Sequence, residues 1–536
     1  MRNPAASSLA QAYHSSLLAR ASAIIRMHTT MANLVGLAGG FVAIFCLLAL
    51  PAQLSIHVLL YLVLTIWIIL RPRIALYLLP IAIPWGSLDT LHLGEINVDS
   101  ADILVFLLAV SWLMRFALRP FSTQRRTAPL DRDSSAVPHY LTFAILAYIF
   151  TMLLSLPGSF GLKLSLKEIS KWLELLIVVF IGSQYIRTRR QIWTLSVLMC
   201  LVALSQALLG YLQALLELGP QSFIRNSVLR VYGTFDQPNP YAGYINMTLS
   251  ITIALTLLSK SAIIRLLAGI TSILLGVALL LSQSRGGDTA LAATLLFIVL
   301  LGMPYLRTAL RVAALATLVL VATYLGGLLP ATLTDPILQK LGLAGISLVI
   351  PTPDDFATAE RLAHWIAGVR MFLNHPLFGV GIGNYATAYS KYFVTIFINP
   401  LGHAHNYYIN IAAEAGIFGL AGLLTFLTAV FIVGVRASIN INDTIKNIQA
   451  HLTTQVQQAT VTPYGKRDTL GRLRTLSNDR ALVVGLLASL LSVCVHNLVD
   501  NVFVHSMTSL FALLIVMLMR LGALAPGAGN NGGRFE

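Results

Sequence analysis

Charged side chains are scarce in this chain. Asp, Glu, Lys and Arg make up 11% of its 536 residues, 57% are hydrophobic, and the mean hydropathy is +0.78. Soluble domains carry about 25% charged residues, so this composition excludes a soluble globular protein. Because a membrane span needs roughly 20 apolar residues, the sequence predicts an all-α, polytopic membrane helix bundle with about 12–14 transmembrane helices.

Cysteine is also rare, and its placement excludes several kinds of site. Cys46, Cys200 and Cys494 each lie inside an apolar segment, so neither a disulfide framework nor a thiolate metal site is expected. Apart from a Gly/Asn tail at 526–533, no low-complexity tract and no internal repeat is evident in the sequence. A repeat architecture is therefore not expected. A cleavable signal peptide is not expected either.

Acidic residues are few on one side of the predicted membrane. When about fourteen apolar segments alternate across a bilayer with the N-terminus inside, the inner connections hold 26 of the 36 Lys and Arg residues and only 6 of the 21 Asp and Glu residues. Basic residues concentrate on the cytoplasmic side of membrane proteins. The formal net charge of +15 therefore indicates topology, with both termini cytoplasmic, and no nucleic-acid binding is expected.

The apolar and polar segments predict a domain organisation. From the N-terminus, it consists of a cytoplasmic basic segment (1–33), a transmembrane bundle of about eleven spans (34–328), an extracytoplasmic loop with an amphipathic helix (329–403), a transmembrane segment (404–435), a cytoplasmic basic linker without chemistry (436–480), two C-terminal transmembrane helices (481–521) and a tail (522–536). The span at 74–86 is short and contains two prolines, so whether it crosses the membrane is left open. In the loop, Thr352-Pro-Asp-Asp predicts a helix start, and His375-Pro predicts that the helix ends at about Asn374.

One histidine stands where the extracytoplasmic loop enters a membrane span. The stretch reads His405-Asn-x9-Gly-x-x-Gly, and histidine is the side chain best suited to act as a general base near neutral pH. If a helix began at His405, Gly416 would lie on the same face and Glu414 on the opposite face, because successive residues turn by about 100°. The glycines would then let a neighbouring helix or lipid chain approach, and Glu414 would pair with a cation on another span.

Other outer segments carry arginines and a second histidine. They read Arg230-x-x-Gly-Thr-Phe-x-x-Pro-Asn, Ser284-Arg285-Gly-Gly, and Arg361 ahead of His375-Pro-Leu-x-Gly-Val-Gly. Arginine binds phosphate oxygens bidentately and stays charged, but an interfacial arginine can equally anchor to lipid headgroups, and Arg361 can pair with Glu360. His496 and Asp500 are four residues apart, so on a helix they would share a face and could pair.

Together, and in this order, these motifs resemble the O-antigen ligase/polymerase family, which includes protein O-oligosaccharyltransferases. The resemblance covers roughly residues 230–420. It implies a glycosyltransferase of the bacterial cytoplasmic (inner) membrane with an extracytoplasmic active site. The implied donor is a glycan on polyprenyl (undecaprenyl) diphosphate, and the implied acceptor is a glycan, a lipid A core or a protein hydroxyl. No cofactor and no metal are implied.

The resemblance also implies roles for individual residues. His405 is the expected catalytic residue, and Arg285, Arg361 and Arg230 are the expected diphosphate ligands. Residues that could contact the acceptor or support the site are His403, Asn406, Glu414, His496 and Asp500. The alternative is a multi-pass transporter or flippase of a lipid-linked glycan. It is disfavoured because ionisable residues are few within the predicted spans, whereas an ion-driven carrier concentrates them near the midplane.

Overall fold

The computed structural model describes most of the chain. The described residues are 52–88, 91–93, 96–118, 137–225, 228–302, 347–351, 356–458 and 462–525, with single helical positions at 40, 308, 312, 315, 319 and 323. Two compact units are present, Met1–Pro72 and Arg73–Glu536. The first contains helix α1 (Ala52–Leu70). The first and last parts of the predicted transmembrane bundle, 34–50 and 309–328, and the helix-start motif at 352–355 lie outside the described residues, apart from a few single positions.

The second unit is built almost entirely of helices. They are α2 (Arg73–Trp85), α3 (Ser100–Leu118), α4 (His139–Leu154), α5 (Leu162–Tyr185), α6 (Arg189–Leu216), α7 (Pro238–Leu258), α8 (Ala262–Ser282), α9 (Arg285–Gly302), α10 (Phe356–Asn374), α11 (Tyr385–Tyr389), α12 (Tyr407–Gln457), α13 (Pro463–His496) and α14 (Met507–Ala523). Two short antiparallel hairpins pair β1 (Leu91–Leu93) with β2 (Ile96–Val98) and β3 (Ile224–Arg225) with β4 (Val228–Leu229). As predicted, α10 ends at Asn374, before His375-Pro.

The lengths and compositions of these helices suit a bilayer. Within the described residues, eight helices are long and apolar enough to cross a membrane, namely α3, α4, α6, α7, α8, α9, α12 and α13, and shorter apolar helices lie in α1, α2 and α14. The protein is therefore a polytopic all-α membrane protein, and this prediction is confirmed. The segment predicted at 74–86 forms one 13-residue helix, α2, that contains both prolines.

Helices α7 and α13 form the centre of the bundle. In each of them 78% of the apolar segment is buried inside the protein, against 22% in α8. The two central helices approach closely where Gly485 of α13 faces α7, because a Cβ at this glycine would lie 2.8 Å from Ile251 Cα. Helix α8 instead exposes a row of large apolar side chains, including Leu266, Ile270 and Ile273, as expected of a helix that faces lipid.

Helices α12 and α13 continue well beyond the predicted membrane segments. Helix α12 has 51 residues and α13 has 34, and a helix rises about 1.5 Å per residue against a hydrocarbon core of about 30 Å. The segment predicted as a basic linker is formed largely by their extensions. Residues 436–457 of α12 and 463–480 of α13 are called the distal hairpin below. The opposite ends of the two helices meet where Tyr407 N donates a hydrogen bond to Asn497 O, 2.8 Å away.

The predicted helical relation between His405 and Gly416 is wrong. His405 has φ +51° and precedes α12, and Gly416 interrupts α12 with φ 67° and ψ −162°. Angular positions counted from His405 along one continuous helix therefore do not apply. Gly416 packs against protein backbone, since a Cβ there would lie 2.2 Å from Leu377 O.

This kink predicts a large loss of stability for Gly416→Ala. An L-residue is strained at a φ of 67° with an extended ψ, and the added methyl would collide with the carbonyl of Leu377. We expect destabilisation by about 3 kcal/mol or more, measured as a lower Tm in detergent. Gly276→Ala is the matched control, because no atom lies within 4 Å of a Cβ at that position of α8. An unchanged Tm for Gly416→Ala would contradict the prediction.

Candidate active site

His405 is held in a constrained loop that ends at the first turn of α12. Its φ of +51° is a left-handed conformation, which costs a non-glycine residue about 1–2 kcal/mol and therefore needs support from its surroundings. Trp365 Nε1 donates to His405 O at 3.1 Å. Asn406 caps α12 by accepting from Tyr408 N and Ile409 N, and it donates to the Leu498 carbonyl at 2.7 Å. Asn406 thus fixes the loop against the end of α13.

Asp500 is the carboxylate that faces His405. His405 Nδ1 lies 3.4 Å from Asp500 Oδ1, and the two side chains are 15% and 6% exposed. This is within ion-pair range, but the ring N–H is not aligned for a full hydrogen bond. The other carboxylate oxygen, Oδ2, accepts a 2.6 Å hydrogen bond from Asn239 Nδ2. Because Nδ1 faces the carboxylate, Nε2 is the nitrogen of His405 available to a substrate hydroxyl.

The surroundings of Asp500 keep it ionised. Burial raises its pKa, but the contact with His405 and the charges of His403, His405 and His496 lower it more, so that the pKa lies well below its usual range. Burial and the charge of His405 lower the pKa of His403 to about 4, against the opposing effect of Asp500. At neutral pH the cluster therefore contains an ionised carboxylate and a neutral His403.

His403, His405 and Asp500 are spaced so that their ligand atoms could hold a metal ion, since these atoms lie within 4.8 Å of one another. One hydrogen bond argues against this use. His405 N donates to His403 Nδ1 at 3.1 Å, so a neutral His403 carries its proton on Nε2, which faces Asp500 Oδ1 at 3.8 Å. A metal bound at Nε2 would need the proton on Nδ1, against the backbone N–H. The geometry therefore favours a hydrogen-bonding cluster.

Arg230 is linked to Asp500 through Asn239. Arg230 donates from Nε to Ser282 O at 3.0 Å and from a terminal nitrogen to Asn239 Oδ1 at 3.1 Å, and Asn239 donates in turn to Asp500. Burial and the charge of Arg225, followed by that of Arg361, lower the pKa of Arg230, which places several cations around one region. Asn239 was not among the predicted site residues, although it ends the motif that begins at Arg230.

Arg285 and Arg361 lie on adjoining elements. Arg285 is the first residue of α9, is exposed, and donates to Thr358 Oγ1 at 3.3 Å. Thr358 and Arg361 are one turn apart on α10. Within the described part of the chain, Arg361 makes no hydrogen bond or ion pair, including with Glu360. Its charge nevertheless lowers the pKa of His403, so Arg361 is close to the histidine cluster and has its guanidinium free.

His496 lies beside the cluster but does not pair with Asp500 as predicted. Helix α13 ends at His496, so Asp500 lies beyond the helix and turns toward His405 instead. The His496 ring is 1% exposed, and neither ring nitrogen has a hydrogen-bond partner. It packs against the start of α9, because a Cβ at Gly286 would lie 2.7 Å from the His496 ring. His496 thus occupies the space that this glycine leaves.

Glu414 has a structural position that the sequence did not indicate. Its carboxylate accepts hydrogen bonds from Gly383 N at 2.9 Å and from Tyr385 N at 2.8 Å. The sequence had predicted that Glu414 pairs with a cation on a neighbouring span. The turn that it holds has positive φ values at Gly379, Gly381 and Gly383. Glu414 therefore orders this glycine-rich turn and the start of α11.

His364 is a buried residue beside His405 that was not among the predicted site residues. Its ring lies edge to face with that of His405, with centroids 5.7 Å apart, and stacks on Tyr389 at 4.6 Å. His364 Nδ1 and Tyr385 Oη are 3.1 Å apart. Burial and the charges of His405 and His403 lower the pKa of His364 to about 4. A neutral, fixed ring thus packs against His405, and its position three residues after Arg361 was the available signal.

Comparison with known protein families finds a match over part of the chain. A family model described as O-antigen ligase matches residues 270–424, a range that contains Arg285, Arg361, His403 and His405. No curated protein matches the chain. Asp500 belongs to the same cluster but lies outside the matched range, as do Asn239, which donates to Asp500, and Arg230, which donates to Asn239. The match supports placing this chain in the O-antigen ligase/polymerase family, as its motifs predicted.

Proposed function

We propose that this protein is a membrane glycosyltransferase that moves a glycan from a polyprenyl (undecaprenyl) diphosphate to an acceptor hydroxyl. The observation that carries the proposal is the joining of a histidine–carboxylate pair, His405 and Asp500, with Arg230, Arg285 and Arg361 at one end of the membrane helices. A base and several cations are what displacement of a diphosphate by a hydroxyl requires.

In the proposed reaction, His405 acts at the acceptor. The acceptor oxygen attacks the anomeric carbon and forms the new C–O bond, while the bond from this carbon to the diphosphate oxygen breaks and its electron pair stays on the diphosphate. The hydroxyl proton passes to His405 Nε2. Asp500 beside Nδ1 orients the ring and stabilises the imidazolium that forms. Attack opposite the leaving group inverts the anomeric centre.

The arginines divide into two roles in this mechanism. Arg285 is exposed, and Arg361 makes no hydrogen bond or ion pair with other described residues, so both can bind diphosphate oxygens and stabilise the charge that the leaving group gains. Arg230 is already bound to Ser282 O and Asn239. We assign Arg230 first to positioning Asn239 and Asp500, with its positive charge adding to the diphosphate site. The reaction needs no metal in this scheme.

The distribution of charge supports an orientation in the bacterial inner membrane. Basic residues gather on the connections at the end of the bundle that carries the distal hairpin, which favours a cytoplasmic position for that end and for both termini. The His405 loop is at the opposite end of α12 and therefore on the outer face. A lipid-linked donor would meet the arginines at the headgroup level.

The direct test is transfer by the purified protein in detergent micelles. The protein is incubated with a radiolabelled undecaprenyl-diphosphate glycan and, in separate reactions, with a lipid A core, a second lipid-linked glycan or a protein acceptor. We expect labelled product with one acceptor class, and the productive class distinguishes ligase, polymerase and protein O-oligosaccharyltransferase. A flippase has no compartments to connect in micelles, so donor that stays intact with every acceptor would overturn the proposal.

Replacing either arginine assigned to the diphosphate should weaken transfer strongly. We expect Arg285→Ala and Arg361→Ala each to lower kcat/KM by about 10²–10³, because each removes a cation from the leaving group. Lysine at either position should restore only part of the rate, since it lacks the planar fork of arginine. Arg370→Ala is the control on α10, because among the described residues Arg370 makes one hydrogen bond, to Phe393 O at 3.5 Å. Equal rates for the Arg361→Ala and Arg370→Ala proteins would contradict the assignment.

A further inference from the structure

The distal hairpin lines a cavity, open to solvent, that the proposed transfer reaction does not use. Its volume is about 810 Å³, and it lies between the extensions of α12 and α13, with Arg189 of α6 at one end. Arg189 begins a membrane-crossing helix, so the cavity starts at the membrane surface and continues along the hairpin. His405 and His496 are at the other ends of the same two helices, which separates this cavity from the candidate active site.

The facing sides of the hairpin carry polar and charged groups on a largely apolar surface. On α12 the cavity is lined at helical spacing by Thr444, Asn447, Ile448 and His451, and on α13 it is lined by residues between Tyr464 and Leu476. Two helices that leave a membrane side by side normally bury an apolar seam between them. Here charged and polar side chains stand beside the apolar surface, so the cavity offers contacts to the polar and the apolar parts of a ligand.

The lining is rich in cations. Arg189 pairs with Asp479, and Arg472 pairs with Asp468 at 3.0 Å. Arg467 is exposed and makes no hydrogen bond or ion pair with any residue of the described chain. The segment 436–480 as a whole has seven basic and three acidic residues. A ligand in the cavity would therefore meet a positive field with at least one uncompensated guanidinium.

Two further groups complete a site for a phosphate group. The imidazole of His451 lines the cavity, and its Nε2 lies 3.1 Å from Gln455 Nε2 on the same helix. Gly471 forms an open part of the wall, since no atom lies within 4 Å of a Cβ there. Guanidinium, imidazole and hydroxyl donors around one space are the groups that recognise phosphate oxygens.

We propose that the cavity of the distal hairpin binds a phosphate-bearing ligand. The phosphate can come from the headgroup of an anionic phospholipid that enters from the membrane end, or from a soluble phosphate compound. On the orientation proposed above this site faces the cytoplasm, but the binding chemistry does not depend on that orientation or on the transfer reaction.

The test uses the full-length protein in nanodiscs and has two arms. In the first, inorganic pyrophosphate is titrated into protein in phosphatidylcholine nanodiscs by isothermal calorimetry. In the second, native mass spectrometry measures phosphatidylglycerol retained from mixed nanodiscs. We expect saturable binding in one arm, weakened about tenfold or more by Arg467→Gln, which removes a charge-assisted contact. Binding in the first arm identifies a soluble ligand, and binding in the second identifies a lipid.

Two variants keep the test sharp. Lys466→Gln removes the same charge from the neighbouring residue, which does not line the cavity, and should bind like the wild type. Gly471→Leu fills the open wall without a collision and should abolish binding while leaving Tm unchanged. Absence of binding in both arms would overturn the proposal, as would equal binding by wild type and Gly471→Leu. Glycan transfer is not the readout, so this result is independent of the proposed function.

Discussion

Purified His405→Ala protein is expected to transfer glycan at least about 10³-fold more slowly than the wild type. General base catalysis by a positioned side chain contributes about 10²–10⁴, and His405 is the only member of the proposed machinery that can accept the acceptor proton. The loss should appear mainly in kcat, because the donor is bound by the arginines and their contacts do not involve His405. Single-turnover transfer from a labelled donor, at saturating acceptor, measures this directly.

A histidine elsewhere in the bundle provides the control. His139 is exposed at the start of α4, and His139→Ala should retain the wild-type rate. Both variants should bind donor equally and unfold at similar temperatures. A transfer rate near that of the wild type in His405→Ala would show that His405 is not the base. The arginines would then remain as a binding site only. Loss of donor binding together with rate would instead indicate that the substitution disturbs the loop.

Asp500→Asn is expected to cost about 10²–10⁴ in kcat, with a small change in the KM for donor. The substitution keeps the size of the side chain but removes the charge that faces His405 Nδ1 at 3.4 Å, so the ring loses its orientation and its imidazolium loses a partner. Steady-state transfer at varied donor concentration separates kcat from the KM for donor and measures this split. A purely structural role would change the KM for donor along with kcat, and that outcome would contradict the assignment.

Stability separates this effect from unfolding, and its sign follows from the pKa of Asp500. Because the folded-state pKa lies well below the usual range, the ionised carboxylate stabilises the fold above about pH 4, and this contribution is lost as pH falls through the folded pKa. Asp500→Asn should therefore lower Tm at pH 7. The difference in Tm between this variant and the wild type should be smaller at the lowest pH that the protein tolerates. A difference in Tm that grows on acidification would contradict this assignment.

Much of the fold could be predicted from the sequence because a bilayer imposes simple rules. Apolar segments must be helical, since unpaired backbone groups are too costly in hydrocarbon. The eight long apolar helices lie in the regions predicted to span the membrane or extend from them. The end of α10 at Asn374 was predictable because Pro376 lies two residues later. The length of α12 and α13 beyond the membrane could not be predicted in this way. Hydropathy shows where a helix is apolar, but it does not show how far the helix continues through polar residues.

The candidate site divides in the same way. Residue chemistry and motif order were enough to predict roles for His405, Arg285 and Arg361, because few other residue types can act as a base or bind a diphosphate. Helical phase failed for Gly416 and Glu414, since phase holds only along an unbroken helix, and the chain before Tyr407 and at Gly416 leaves helical geometry.

The sequence alone thus determined a polytopic helical protein, the positions of its apolar spans and the residue types on which the proposal of glycan transfer rests. Tertiary structure alone decided which groups meet. Asp500 approaches His405 from a loop after α13, Asn239 joins that carboxylate to Arg230, and His364 packs on the other side from α10. These contacts depend on how the ends of separate helices pack, and spacing along one chain carries no information about the distance between two helix ends.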